Sequence, residues 1–174
     1  IEHQMKTTKD AILKKTIHSI QYAKSFGCFV QFSAMDATRA DASFLMDLFN
    51  TAVEAGAQAI NISDTTGYIL PKEVTSLVSR IKKEVIKQKD IILSIHCHND
   101  LGLATANTLQ AILAGINQIE VTINGIGERA GNASLEEIIA ILDKHQDSLH
   151  YDTNIIKNEI FKTSNLLSHI TNIQ

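Results

Sequence analysis

The feature that most limits the fold of this chain is a short β-prone run that recurs about every 30 residues. The four runs lie at residues 29–33, 59–63, 91–96 and 118–122. Apolar residues at helical spacing fill the stretches between them, and several of these stretches end at a glycine. Alternating strands and helices predict an α/β fold with a parallel sheet and right-handed crossovers.

Four such units can form either a small open sheet or half of a barrel. A full (β/α)8 barrel needs eight units and typically about 250 residues, whereas this chain has 174. Polar residues follow the carboxyl end of every predicted strand, at residues 33–39, 63–67, 96–100 and 124–132. Barrel enzymes carry their chemistry at that rim, so the pattern favours a partial TIM (β/α)8 barrel of four βα units with parallel strands.

Charge, hydropathy and cysteine usage exclude several classes of function. The formal net charge is -3 and no basic stripe is present, which argues against a nucleic-acid partner. No apolar run approaches the roughly 18 residues that a membrane span needs, so no membrane association is expected. Cys28 and Cys97 lie far apart and indicate no disulfide framework, which favours a reducing, cytoplasmic compartment.

The most informative motif is His96-Cys97-His98-Asn99-Asp100, at the end of the third predicted strand. Histidines at i and i+2 on a strand face the same side, and both imidazoles can then reach one metal ion at about 2.0–2.1 Å. The alternative is that the histidines only form hydrogen bonds in the core or at the surface. The rim position and a neighbouring carboxylate, which could hold the second nitrogen of a ligand histidine, favour the metal site.

A glycine-rich stretch, residues 124–132, follows the fourth predicted strand. Its glycine spacing does not match the dinucleotide-binding fingerprint. One interpretation is a turn before a capped helix. The polar residues Glu128, Arg129 and Asn132 favour a functional loop instead, because asparagine can offer a metal its carbonyl oxygen and arginine can bind a carboxylate through two hydrogen bonds.

The stretches after the first two strands are less specific. Residues 64–68, Asp-Thr-Thr-Gly-Tyr, are also typical of a turn into a helix. In a functional interpretation, Thr65 donates its hydroxyl to a substrate carboxylate. In residues 32–39, Asp36 and Arg39 can form a local ion pair of small energetic value.

Taken together, these motifs resemble the family of 2-isopropylmalate synthase, with homocitrate and citramalate synthases as close relatives. The resemblance rests first on the run from His96 to Ala104 and on the loop from Gly125 to Asn132. It extends to the segments 32–39, 61–68 and 159–164 and so covers essentially the whole chain. It implies that residues 1–150 are the second half of a catalytic barrel and that 151–174 form a helical segment leading out of it.

The resemblance also implies an activity, that of an acyltransferase of leucine biosynthesis. The reaction would be a Claisen-type condensation of acetyl-CoA with a 2-oxoacid such as 2-oxoisovalerate, followed by thioester hydrolysis. A divalent metal ion, Mg²⁺, Mn²⁺ or Zn²⁺, would be held by an aspartate and two histidines. The histidine pair corresponds to His96 and His98, and the family's loop asparagine, at or next to the metal, corresponds to Asn132.

The same resemblance implies roles for the remaining rim residues. Thr65 corresponds to the threonine that contacts the 2-oxoacid. We expect further substrate-binding residues and catalytic residues at the same rim. The expected substrate-binding residues are Thr65, Asp64, Asn99 and Asp100, and the expected catalytic residues are Glu128 and Arg129.

Three departures from the family pattern bear on activity. The family's opening motif, with an arginine and the metal-binding aspartate, is absent, so we expect the chain to start just after the fourth barrel strand. We also expect it to stop before the segment with a catalytic histidine in an HQDG-like motif. Met35 and Gln31 stand where the family usually or often has glutamate. We therefore expect the isolated chain to be inactive.

Three alternatives remain: a homocitrate or citramalate synthase, a related metal-dependent lyase, and a non-catalytic half-barrel. The loop at 125–132 favours the synthase over the lyase. An open half-barrel would leave the strands at 29–33 and 118–122 with unpaired edges. It would also uncover the inward side chains, so we expect a large apolar surface that a homodimer or a folded-back C-terminal helix hides.

Overall fold

The computed structural model describes residues 7–87 and 90–173, in which helices and strands alternate. The strands are β1 (Gln31–Ala34), β2 (Ala59–Asp64), β3 (Ile92–Cys97) and β4 (Gln118–Glu120). The helices are α1 (Lys9–Lys24), α2 (Ala42–Glu54), α3 (Pro71–Ile81), α4 (Ala104–Leu113), α5 (Leu135–Lys144), α6 (Gln146–Leu149) and α7 (Lys157–Thr171). A π-helical turn, Lys82–Ile86, continues α3.

The four strands form one parallel sheet in the order β1-β2-β3-β4. Each strand therefore pairs with the strand of the next βα unit, as it does in a barrel. The predicted α/β arrangement and the positions of all four strands are confirmed, with differences of a few residues at the strand ends. The fourth strand is the shortest, because Val121 and Thr122 already belong to the loop that follows it.

One face of the sheet is apolar and carries the core. Residues in register on neighbouring strands share a face, so Phe32, Ile60 and Leu93 form one row of apolar side chains. A second row on this face is Ala34, Ile62, Ile95 and Ile119. The helices cover both rows, and Ile60 and Ile62 are fully buried. This convex face holds the fold together through hydrophobic burial.

The opposite face is concave and mainly polar. Ser33, Asn61, Ser94 and Gln118 lie in register across it. Gln31 of β1 bonds to Gln118 and Glu120 of β4, although these strands form opposite edges of the sheet. Such a contact requires strong curvature, as in a barrel wall. The expectation that the inward side chains expose a large apolar surface is therefore wrong, because most of these side chains form a hydrogen-bonded polar layer.

The helix ends follow the local sequence. Thr8 caps α1 by accepting a hydrogen bond from the Ala11 amide, and Pro71 occupies the first turn of α3. The last helix, α7, contacts the loop after β4, where the Asn124 amide group donates to Ser164 and Ser168. No helix in residues 7–87 or 90–173 has the length and hydropathy that a bilayer crossing requires.

Candidate metal and substrate site

The loop after β4 folds back on the end of β3 and brings Asn132 to the histidine motif. The Asn99 amide donates to the Gly131 carbonyl at 2.8 Å, and the Ala133 amide donates to the Cys97 carbonyl at 3.0 Å. These bonds make His98 and Asn132 backbone partners in an isolated antiparallel bridge. Two segments that are more than 30 residues apart in sequence therefore meet at the predicted rim.

The two histidines converge. The Nε2 atoms of His96 and His98 lie 3.2 Å apart, so the predicted i, i+2 orientation toward one side is confirmed. His98 is 7% exposed, and its pKa is lowered, first by burial and then by the neighbouring His96 and Arg129. Both effects favour the neutral imidazole, which is the form that has a free lone pair.

This geometry fits a divalent cation. Two adjacent ligands at about 2.0–2.1 Å from a metal lie about 2.8–3.0 Å apart in octahedral geometry and about 3.3–3.4 Å apart in tetrahedral geometry, and the observed 3.2 Å lies between these values. The Oδ1 atom of Asn132 is buried and has no hydrogen-bond partner among the described residues, while its Nδ2 atom donates to the Ile126 carbonyl. Within the described residues, no group of three or more His, Cys, Asp or Glu side chains is placed to hold a metal. The candidate donors are thus the two imidazoles, with the Asn132 amide oxygen on the segment that is bridged to His98.

A second part of the site is built around Arg129. Its Nε and Nη2 atoms donate to the two carboxylate oxygens of Asp100 at 2.6 and 2.7 Å, and Nη2 also donates to the Thr65 carbonyl at 2.8 Å. The hydrogen bond from Arg129 is the main cause of the lowered pKa of Asp100. The Arg129 side chain therefore joins the loops after β2, β3 and β4. The Arg129 backbone has a φ of 58°, a left-handed conformation that is uncommon for a side-chain-bearing residue.

Asp64 is the last residue of β2 and Thr65 the first after it, and their side chains have different environments. Thr65 accepts a hydrogen bond from the Asp36 amide through Oγ1, which leaves its hydroxyl hydrogen free to donate. Asp64 is fully buried, and its Oδ1 atom accepts from Thr38 Oγ1 at 2.7 Å and from the Tyr68 amide at 3.1 Å. Asp64 thus holds the loops around Thr65 in place.

The last two predicted site residues, Asn99 and Glu128, differ in their hydrogen bonding. Asn99 accepts a hydrogen bond from the Ala104 amide at the start of α4, so its side chain is engaged in the fold. Glu128 is exposed, and its side chain has no hydrogen-bond partner in the part of the chain that the structure describes. Its charge nevertheless acts on His98, whose pKa it tends to raise.

Sequence reasoning missed Glu120 as a site residue. It is the register partner of His96 on β4, and its Oε2 atom faces His96 Nδ1 at 3.4 Å. A signal for it exists, because residues 118–122 alternate polar and apolar side chains and so place Gln118 and Glu120 on one face. The alternation does not reveal which face holds the histidines.

Comparisons with known proteins identify relatives of this chain. A family model described as HMGL-like matches residues 1–167. The 2-isopropylmalate synthase of Pyrococcus furiosus is 41% identical over 174 residues, which is 100% of this chain and 35% of the relative. The 2-isopropylmalate synthase of Dictyoglomus turgidum is 46% identical over 173 residues, or 99% of this chain and 34% of the relative. The chain thus spans about a third of the length of these relatives.

Solved structures support the barrel fold. An HMG-CoA lyase from Acinetobacter baumannii superposes with a TM-score of 0.79 at 18% identity, covering 98% of this chain and 57% of the lyase. The HMG-CoA lyase of Bacillus subtilis gives a TM-score of 0.81 at 16% identity, covering 98% of this chain and 59% of that enzyme. At such low identity the likeness concerns the fold alone, and it agrees with a partial barrel.

Proposed function

Since the chain belongs to the HMGL-like family, we propose that it forms part of the catalytic barrel of a 2-isopropylmalate synthase-type acyltransferase. The reaction is a Claisen-type condensation of acetyl-CoA with a 2-oxoacid such as 2-oxoisovalerate, followed by thioester hydrolysis. The observation that carries this proposal is the 3.2 Å approach of the His96 and His98 Nε2 atoms, beside the backbone bridge between His98 and Asn132, in a chain matched end to end by proteins named 2-isopropylmalate synthase.

The metal ligands proposed from this chain are His96, His98 and Asn132. The imidazoles would bind a divalent cation, Mg²⁺, Mn²⁺ or Zn²⁺, through Nε2, and Asn132 would offer its unpartnered Oδ1 atom. When bound, the cation supplies Lewis-acid chemistry toward the keto oxygen of the 2-oxoacid. The lowered pKa of His98 keeps its imidazole neutral and available as a ligand.

The substrate-binding residues proposed are Thr65 and the residues that hold it. The free hydroxyl hydrogen of Thr65 can donate to a substrate carboxylate, since its oxygen already accepts from the Asp36 amide. Asp64 fixes the loop that carries Thr65, and Asp100 fixes Arg129 beside it. Asn99 contributes by fixing the start of α4 next to this loop.

The catalytic residues proposed are Glu128 and Arg129. Glu128 is suited to remove a proton from the acetyl methyl group, because its carboxylate is exposed and close enough to His98 to influence it. Arg129 is suited to orient an anionic group, because its Nη1 atom makes no hydrogen bond among the described residues while Nε and Nη2 hold it in place.

The synthase hypothesis is favoured over the lyase hypothesis. The relatives that match the whole chain at 41 and 46% identity are named synthases, whereas the lyases are similar in fold at 18 and 16% identity.

We also propose that the 174-residue chain alone does not turn over acetyl-CoA. The donors it supplies are two imidazoles and an amide, and Met35, which is 74% exposed, offers no carboxylate at the rim after β1.

Two broader proposals concern location and assembly. A cytoplasmic location is supported by the free thiols of Cys28 and Cys97. A homodimer is supported by β1 and β4, which form the two edges of the sheet, and by exposed apolar side chains on α7 such as Phe161 and Ile170. Light scattering that gives the mass of a single chain at all concentrations would contradict the homodimer.

Titration calorimetry with 2-oxoisovalerate tests the proposed function. We expect heat of binding in the presence of Mn²⁺ and none in its absence, because the cation and Thr65 would bind the 2-oxoacid together. His96→Ala should abolish this binding, whereas His18→Ala, at an exposed position in α1, should leave it unchanged. Binding of 3-hydroxy-3-methylglutaryl-CoA without binding of the 2-oxoacid would favour the lyase, and metal-independent binding would overturn the proposal.

A further inference from the structure

The polar layer on the concave face contains one carboxylate, that of Glu120, which lies next to the histidine pair. Its Oε1 atom accepts a hydrogen bond from Gln31 Nε2 at 2.6 Å. Its Oε2 atom accepts from Asn61 Nδ2 at 3.4 Å and faces His96 Nδ1 at 3.4 Å. The carboxylate is therefore held from two sides by neutral amides, with one oxygen turned toward the imidazole.

The neutral partners around Glu120 are held in turn. Gln31 accepts a hydrogen bond from Gln118 through its own carbonyl oxygen at 2.7 Å, which fixes its amide group with the NH₂ toward Glu120. Asn61 is 1% exposed and is fixed by its place in the centre of the sheet. A glutamate at position 31 would place a second carboxylate against that of Glu120. The Gln31 side chain instead donates a hydrogen bond to the Glu120 carboxylate and stabilises it.

The tautomer of His96 decides whether its Nε2 atom can bind a cation. A neutral imidazole carries one proton, on Nδ1 or on Nε2, and only the nitrogen without the proton has a free lone pair. The Nδ1 atom of His96 is buried and makes no hydrogen bond among the described residues, and the acceptor oxygen Oε2 of Glu120 lies 3.4 Å from it. A carboxylate accepts and cannot donate when ionised, so it stabilises the proton on Nδ1 and leaves Nε2 free.

We infer that Glu120 is a positioning residue for the cation site, which fixes His96 in the Nδ1-protonated tautomer and aims Nε2 at the point shared with His98 Nε2. The inference rests on the proposed cation site and assigns a role to a carboxylate outside the proposed ligands and substrate-binding residues. Gln31 and Asn61 act behind it by holding the carboxylate in its orientation. Metal-ligating histidines commonly depend on such an acceptor for their second nitrogen.

Metal affinity is the first test. Calorimetric titration of Mn²⁺ and Zn²⁺ into the metal-free chain should show a loss of roughly 10–100-fold for Glu120→Ala, the usual effect of removing such an acceptor. Glu120→Gln keeps an acceptor oxygen and should retain more of the affinity than the alanine variant. Ser94→Ala is the matched control, since Ser94 is buried in the same polar layer and bonds to Gln118 and not to a histidine. It should bind metal like the wild type.

The tautomer of His96 is the second test and needs no metal. Long-range ¹H–¹⁵N correlation spectra of the metal-free chain should show a protonated Nδ1 and a bare Nε2 for His96. In Glu120→Ala this pattern should change to mixed tautomers, whereas Glu120→Gln and Ser94→Ala should preserve it. A purely structural role of Glu120 would lower the unfolding midpoint and leave the tautomer as it is.

The outcomes separate this inference from the proposed function. If the wild type binds no divalent metal, the proposed cation site fails, while the tautomer spectra still decide whether Glu120 positions His96. If the wild type binds metal and Glu120→Ala binds it equally well with an unchanged His96 tautomer, the inference is overturned and the cation site stands. Reduced affinity together with a changed tautomer supports both.

Discussion

Arg129 and Asp100 form a bidentate ion pair, with Nε 2.6 Å from Oδ1 and Nη2 2.7 Å from Oδ2. The same Nη2 atom donates to the carbonyl oxygen of Thr65, so the pair fastens the loops after β2, β3 and β4 to one another. The hydrogen bond from Arg129 holds the pKa of Asp100 below its ordinary value of 3.8, and it raises the pKa of Arg129. The stability of the rim is thereby linked to pH.

Removal of this ion pair should destabilise the chain most where Asp100 is ionised. An aspartate whose pKa is lowered by folding contributes stability that is present above its unfolded pKa, about 3.9, and is lost as pH falls through the folded value. Urea unfolding of metal-free wild type and Arg129→Met should therefore differ more at neutral pH than below the folded pKa of Asp100, where only the loss of the hydrogen bond to the Thr65 carbonyl remains. Asp100→Asn should remove the same acid-range dependence. A difference that persists unchanged at low pH would contradict this account.

Gly127 and Gly102 offer a matched pair for separating metal binding from stability. A Cβ atom at Gly127 would lie 2.5 Å from Asn132 Nδ2, so Gly127→Ala should displace the Asn132 side chain and weaken Mn²⁺ affinity. Gly102 has a φ of 71° and open space around it, so Gly102→Ala should cost about 1 kcal/mol of backbone strain without changing metal affinity. Calorimetry and thermal unfolding measure both effects. Equal metal affinity in the two variants would contradict a role for Asn132.

Asp64 should matter for stability through its buried hydrogen bonds. Thr38→Val removes one of them and should lower the free energy of unfolding by about 1 kcal/mol. Asp64→Ala removes the bonds from Thr38, Tyr68 and Ile69 and leaves these donors without their acceptor, so it should cost about 3 kcal/mol. Urea unfolding at neutral pH provides the measurement. An Asp64→Ala variant as stable as Thr38→Val would show that the carboxylate does not hold this loop.

The local parts of this fold could be predicted from the sequence. The repeat of β-prone runs gave the four parallel strands, because strand and helix patterns differ in period and the units are alike in length. The convergence of His96 and His98 also followed from local geometry, since alternate residues of a strand face the same side. Both predictions depend only on residues that are close in sequence, within one strand or one βα repeat.

The contacts between distant segments could not be predicted. Gln31 reaches Glu120 because the sheet curves, and curvature is a property of the assembled strands rather than of either residue. The polar character of the concave face was misjudged for the same reason, because the sequence shows which positions alternate and not which face the helices cover. Arg129 pairs with Asp100 from a left-handed backbone conformation, which no residue type there required.

The two cysteines should differ sharply in reactivity. Cys28 is exposed, whereas Cys97 is fully buried and burial raises the pKa of its thiol to about 12. The thiolate is the reactive form, and at about pH 8 a thiol with that pKa is ionised in only about one molecule in 10⁴. Cys97 lies between the two histidines in sequence, but alternation along β3 turns it into the apolar core and away from the cation site.

Labelling with a thiol-reactive disulfide reagent should therefore show one fast and one slow reaction. Cys28→Ser should leave only the slow reaction, and Cys97→Ala only the fast one. The buried thiol of Cys97 reacts only when β3 opens. Mn²⁺ that binds the folded chain should therefore slow the labelling of Cys97 further, without changing the labelling rate of Cys28. In urea both thiols should react at similar rates. Fast labelling of Cys97 in the native chain would mean that β3 is not packed against the helices and that the histidine pair lacks the rigid support a metal site requires.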